Sequence, residues 1–132
     1  MKAKSSLILS FILLFAFSVT AGTLRTGGPK LALASMEHSF GSVKSGTPLK
    51  YAFVIKNEGK DDLEIKSVAP SCGCTTSAFD KLIPAGKEGK ITLAVENTDG
   101  YKGEVSKSAT VVTNDPDHQS FTLYLKATFV AE

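Results

Sequence analysis

The sequence predicts an all-β sandwich, and three observations carry that reading. Apolar and polar residues alternate with a period of two, most clearly where Phe121, Leu123, Leu125, Ala127 and Phe129 interleave with Thr122, Tyr124, Lys126 and Thr128. Successive side chains of a strand point to opposite faces, so this is the pattern of a half-buried strand. Turn residues recur between such segments. No stretch beyond the first 21 residues sustains a 3.6-residue period. About seven short strands in roughly 100 residues suit an immunoglobulin-like sandwich. The antibody hallmarks are missing, since there is no Trp and the only two cysteines stand too close together to bridge two sheets.

In chain order, Lys2 and Lys4 precede an apolar run from Leu7 to Val19, and Val19-Thr20-Ala21 follows as a small-x-small cleavage pattern. Residues 1–21 therefore read as a signal peptide. The run is shorter than the roughly 20 residues a membrane-spanning helix needs. Residues 22–29 read as a flexible, Gly-rich lead, and residues 30–132 as one sandwich domain. Leu49, Tyr51, Phe53 and Ile55 share one strand face, with Lys50, Ala52 and Val54 on the other. Leu63, Ile65 and Val68 mark another strand, as do Ile91, Leu93 and Val95, and then Ala109 to Thr113. Asn57-Glu-Gly59, Pro84-Ala-Gly86, Asp99-Gly100 and Asn114-Asp-Pro116 supply the turns between them.

Cleavage after Ala21 leaves 111 residues carrying 13 basic and 13 acidic side chains. That is one domain, large enough to bury a core without disulfide help. The charges are interspersed and balanced. They offer no patch for nucleic acid or for an anionic membrane surface.

Several segments in order resemble the bacterial family known as domain of unknown function 1573. They are Phe40-Gly-Ser-Val43 with Gly46, Tyr51 to Asn57 with Gly59, and Leu63-Glu-Ile65 leading through Val68 to Ser71-Cys-Gly-Cys-Thr75. Ile83-Pro84 with Gly86, Gly89-Lys-Ile91 and Thr113-Asn-Asp-Pro116 complete the set. The resemblance covers roughly Met36 to Phe129. It implies an immunoglobulin-like sandwich related to PapD-type chaperone and sperm-protein-like domains, placed outside the cytoplasm. It supplies no activity. Ala85 departs from the family pattern, because it separates Pro84 from Gly86.

Cys72-Gly73-Cys74 is the one chemically distinctive motif. Behind a signal peptide, free thiols rarely persist without a purpose. A local disulfide would stabilise little, about 1.6 kcal/mol by loop entropy against about 3 for a fifteen-residue loop. In an extended strand, residues i and i+2 lie about 6.6 Å apart. Bridging them requires a sharp turn, which Gly73 would permit through its conformational freedom. A strained bond of this kind is more easily reduced. Alternatively, the two thiolates could hold a soft ion such as Cu(I), whereas zinc would want two more ligands, for which Met36, His38 and His118 are the candidates. Thiol exchange or cross-linking is the third reading.

His38 and His118 each flank a predicted strand in a polar setting, where a solvated or locally hydrogen-bonded ring is the simplest account. Tyr101, on a loop, reads as packing over the end of the sandwich. No Gly-x-Ser-x-Gly elbow, phosphate loop or carboxylate pair is present in the sequence. The expectation is therefore a non-enzymatic, periplasmic or secreted module that binds another protein or domain through a strand edge or end loops. The alternative is a metal-binding or thiol-redox protein centred on Cys72 and Cys74.

Overall fold

The computed structural model describes residues 27–131. The expected signal peptide at 1–21 lies outside the described residues. So does most of the expected lead at 22–29, of which residues 27–29 are described. Among the described residues there are nine strands and no helix.

The strands are β1 (Leu31–Leu33), β2 (Glu37–Lys44), β3 (Leu49–Asn57), β4 (Leu63–Pro70), β5 (Thr75–Phe79), β6 (Leu82–Ile83), β7 (Glu88–Val95), β8 (Gly103–Thr113) and β9 (Ser120–Val130). They form two sheets, in the orders β1-β3-β7-β5 and β2-β9-β8-β4-β6. The predicted sandwich is thus the observed one, and β1, β2, β5 and β6 are strands beyond the five the sequence marks.

The core follows directly from the period-two segments. Leu49, Phe53 and Ile55 of β3 and Ile91, Leu93 and Val95 of β7 face Leu123, Leu125, Ala127 and Phe129 of β9, all buried. Ile65, Ala109 and Val111 complete that layer. Removing each large side chain from water contributes about 1.5–3 kcal/mol. The opposite faces of the same strands carry the exposed Lys50, Val54 and Lys126.

Irregularities mark the positions where sequence periodicity falters. In β4 the apolar spacing widens between Ile65 and Val68 because the pairing with β8 shifts register between Ile65 and Ser67. The extra residue is a bulge, which restores Val68 to the inner side. β2 runs parallel to β9 and breaks register between Ser39 and Ser42, around Gly41 at φ 70°. The turn at Pro84-Ala-Gly86 closes when the Lys87 N–H donates to the Pro84 carbonyl (3.0 Å), with Gly86 at φ 74° in the third position. Ala85 occupies the second position, which any residue can fill.

His38 corrects one expectation. It lies within β2 rather than beside a strand, and its ring stacks on Tyr51 of the other sheet (3.7 Å between centroids, 6° between planes). Phe40 meets the His38 ring edge-on at 4.7 Å. The polar flanks of His38 in sequence conceal an aromatic clamp between the two sheets.

Candidate functional site

The Cys72-Gly73-Cys74 motif sits where the chain crosses from one sheet to the other. β4 ends against β8, with Pro70 opposite Ala109, and the Ser71 N–H extends this pairing by donating to the Ser108 carbonyl (2.8 Å). The Thr75 N–H then donates back to the Cys72 carbonyl (3.2 Å), closing a turn over residues 72–75. Thr75, buried and opposite Val95, begins β5.

Cys72 and Cys74 are joined as a disulfide, with Cα atoms 5.4 Å apart. That separation is inside the usual range for bridged cysteines. Gly73 does not occupy the left-handed region, and a Cβ there would meet no atom within 4 Å. The sequence suggests a segment that is near-extended or turns sharply through glycine's freedom, and it is neither. It is an ordinary turn whose hydrogen bond already brings the two residues together.

Tyr101 reaches this turn from the β7–β8 connection. Gly100, at φ 80°, lets the loop fold back so that the Tyr101 N–H donates to the Thr98 carbonyl (3.1 Å). The buried Thr98 hydroxyl anchors the loop by donating to the Thr47 carbonyl (2.7 Å). The Tyr101 ring meets Phe129 edge-on at 5.3 Å, so it does pack over the sandwich end. Its hydroxyl also donates to Cys74 Sγ (3.6 Å), and Lys107 Nζ lies 4.9 Å from the ring centroid. Cys72 Sγ has a longer contact, 3.8 Å to Thr75 Oγ1. Both cysteines and Tyr101 are half-buried. Sequence reading isolates the cysteines but not the Tyr101–Lys107 pair, since the contact depends on a loop 27 residues away.

The other residues considered as ligands lie elsewhere. His118 follows Thr113, at the end of β8 paired with the start of β4, whereas the cysteines follow the end of β4. The two sites are thus separated by roughly 16 Å of strand. His118 Nδ1 bonds the buried Asp115 carboxylate (3.0 Å), a local hydrogen bond of the kind expected for it. Met36 and His38 lie at β2, with β9 and β8 between that strand and β4. Among the described residues, no three His, Cys, Asp or Glu side chains gather as a metal-ligand set. As a disulfide the cysteines present no thiolate, so a Cu(I) site on them would require the reduced protein.

Replacing both cysteines by Ser is expected to lower the unfolding free energy by no more than about 2 kcal/mol. The turn hydrogen bond and the flanking strand pairings remain. A urea titration of the oxidised domain and the double variant checks this, and a larger loss would show that the bridge carries the fold.

Two sheets packed face to face, joined by a crossing loop and closed at one end by Tyr101 over Phe129, define an immunoglobulin-like β-sandwich. The chain belongs to the family described as Protein of unknown function (DUF1573), whose sequence model matches residues 31–129. Solved structures share the fold. One is a protein of unknown function from Porphyromonas gingivalis W83, 22% identical, with a TM-score of 0.66 over 79% of this chain and 48% of that one. The chain therefore spans about half the length of that protein. Another is the ASH / PapD-like domain 7 of human CEP192, 11% identical, with a TM-score of 0.58 over 78% and 87% of the two chains. A third is the CsuC-CsuE chaperone–tip adhesion subunit pre-assembly complex of Acinetobacter baumannii, 13% identical, with a TM-score of 0.52 over 76% and 52%. No curated protein matches the chain.

Proposed function

We propose that this is a non-enzymatic, extracytoplasmic protein-interaction module that accepts an extended partner segment on the outer edge of β5. The observation that carries this reading is the state of that edge. The Asp80 N–H bonds the Lys90 carbonyl (3.1 Å), while the Thr75 N–H turns to Cys72 instead. Alternation along the strand then directs the N–H and C=O of Ser77 and Phe79 away from β7. Among the described residues, Thr76 to Phe79 pair through their backbone with β7 alone.

The edge of β2 is different. The Glu37 N–H and C=O both bond the Ser35 hydroxyl (3.2 and 2.8 Å), and the Gly41 N–H bonds Ser39 Oγ (3.3 Å). The Lys44 carbonyl accepts from the Thr47 N–H (3.1 Å). Such self-capping blunts an edge, whereas an unpaired edge can template a further strand. Beside β5, the small side chains of Thr76, Ala78, Thr92 and Ala94 line a shallow depression between Lys50 and Glu96. These would meet a partner's side chains without steric obstruction. The Acinetobacter baumannii complex shows that another domain of this fold holds a protein subunit, which supports a protein partner here. The signal-like N-terminus supports a location outside the cytoplasm.

Ser77→Pro tests the edge. Proline is tolerated on an edge strand where its missing N–H faces outward, and the Ser77 hydroxyl it also removes makes only a long bond to the Val68 carbonyl (3.4 Å), so the thermal midpoint should move by only a few degrees. Partner recovered by cross-linking from an extracytoplasmic extract should fall by about tenfold or more, the equivalent of roughly 1.4 kcal/mol. Equal recovery by the variant, or no partner recovered by the natural sequence even after cross-linking, would sink the proposal.

A further inference from the structure

We infer that Cys72–Cys74 is a directional dithiol–disulfide exchange site, in which Cys72 is the sulfur attacked and Cys74 the sulfur that leaves. The bridge has little structural work, because it spans a turn that the Thr75 N–H and the strand pairings on both sides already close. Its two sulfurs also stand in unequal surroundings. The Tyr101 hydroxyl donates to Cys74 Sγ at 3.6 Å. Packing of the ring on Phe129 fixes that hydroxyl, and the Lys107 ammonium lies 4.9 Å from the ring centroid. Among the described residues, Cys72 Sγ has only the Thr75 hydroxyl, at 3.8 Å.

A divalent sulfur in a disulfide is a weak acceptor, so the Tyr101 bond stabilises the oxidised state little. Once Cys74 becomes a thiolate, the same donor makes a charge-assisted bond, which is much stronger. The interaction therefore favours the transition state and the opened product over the resting disulfide. The better-stabilised thiolate is the better leaving group in exchange.

The co-reactant is a dithiol, on a protein or a small molecule. Its first thiolate forms a bond to Cys72 Sγ as the Cys72–Cys74 bond breaks, and the electron pair of that bond leaves on Cys74 as a thiolate held by Tyr101. The second thiol of the reductant, deprotonated, then attacks its own sulfur in the mixed disulfide and releases Cys72 as a thiolate. Two protons taken up from the reductant's thiols complete the balance. The reductant ends as a disulfide, and Cys72 and Cys74 as two thiols. Run in reverse, the same steps make the domain a dithiol donor.

Glutathione, a monothiol, has no second thiol to resolve its own mixed disulfide, so an early acid quench traps the first step and shows which sulfur was attacked. The folded oxidised domain is treated with millimolar glutathione, quenched in acid and alkylated. Fragmentation of the peptide spanning residues 67–81 then locates the glutathionyl group. We expect it on Cys72 over Cys74 by about three- to tenfold, the scale of one ordinary hydrogen bond, because the longer Thr75 contact offsets part of the Tyr101 effect. Exchange between the two positions before quenching preserves this bias, because Cys74 is also the favoured thiolate at equilibrium. Tyr101→Phe keeps the ring on Phe129 and removes only the hydroxyl. It should slow opening and bring the two positions near equality. An even or reversed distribution in the natural sequence would overturn the inference. So would an unchanged bias in Tyr101→Phe, or a native disulfide that glutathione leaves intact while opening it in the unfolded chain.

Discussion

Asn57→Ala is expected to lower the unfolding free energy by about 3–5 kcal/mol, as much as a large core truncation. Asn57 is fully buried at the end of β3. Its side-chain amide nitrogen donates to the carbonyls of Asp61 (2.8 Å) and Ile83 (2.9 Å). Its side-chain oxygen accepts from the N–H groups of Lys30 (3.3 Å) and Gly59 (3.0 Å). Its backbone bonds Lys87 and Gly86 in the turn that precedes β7. One residue thus ties the segment before β1, the β3–β4 loop, β6 and the β6–β7 turn to the core. Alanine keeps the backbone bonds and strands four polar groups. A buried unsatisfied group costs about 1–3 kcal/mol. Lys30 and Asp61 lie at the surface, where water can replace part of the loss, so the total stays below the full sum. Asn57→Asp should cost as much as Ala, because a carboxylate has no hydrogen to give the Asp61 and Ile83 carbonyls. Urea unfolding with an unchanged slope measures both variants. A loss below about 1.5 kcal/mol in either would show that solvent satisfies the site.

The sequence makes β3, β7 and β9 legible because each buries one face and solvates the other, so composition alternates with the pleat. β5 escapes notice because Thr75-Thr-Ser-Ala-Phe79 offers almost no contrast between faces. β2 escapes because its bulge breaks the alternation after Phe40, and its parallel pairing with β9 is set by the whole topology. Asn57-Glu-Gly59 is legible as a turn but not for its reason. Gly59 is not in the left-handed region, and a Cβ there would collide with the Gly28 carbonyl oxygen and the Lys30 nitrogen. Close backbone approach, rather than positive φ, demands glycine at that position. The candidate site divides in the same way. Two cysteines one residue apart are plain in the sequence, whereas the hydroxyl that distinguishes them arrives from a distant loop. Periodicity reports burial of a face. It cannot report which single polar atom from elsewhere meets it.

Asp115→Asn is expected to cost about 2–4 kcal/mol near pH 7, and most of that difference should vanish in acid. The Asp115 side chain is buried between β8 and β9. One carboxylate oxygen accepts from the Leu31 N–H (2.8 Å) and bonds His118 Nδ1 (3.0 Å), while the other accepts from the Asp117 N–H (2.9 Å). Burial alone would raise its pKa. The Leu31 N–H, then the Asp117 N–H and His118, outweigh that effect and hold it below the ordinary carboxylate value. A carboxyl that binds its proton less readily when folded than when unfolded contributes stability above its unfolded pKa. That contribution is fully present above about pH 5 and is lost as pH falls through the folded value. Asn keeps the shape, but in either orientation its NH₂ group faces an N–H donor that the carboxylate satisfied. The exposed Pro116 and Asp117 beside it admit solvent, which screens part of the charge and keeps the cost within this range. The natural sequence should therefore lose stability below about pH 4 more steeply than Asp115→Asn, and the two curves should converge toward pH 2. Leu31 is the first residue of edge strand β1, and its N–H bond to Asp115 loses its charge assistance and weakens when Asp115 protonates. Hydrogen exchange at Leu31 should accelerate over the same acid range, before the β3 and β7 amides respond. Parallel pH–stability curves would mean that Asp115 contributes through shape rather than charge.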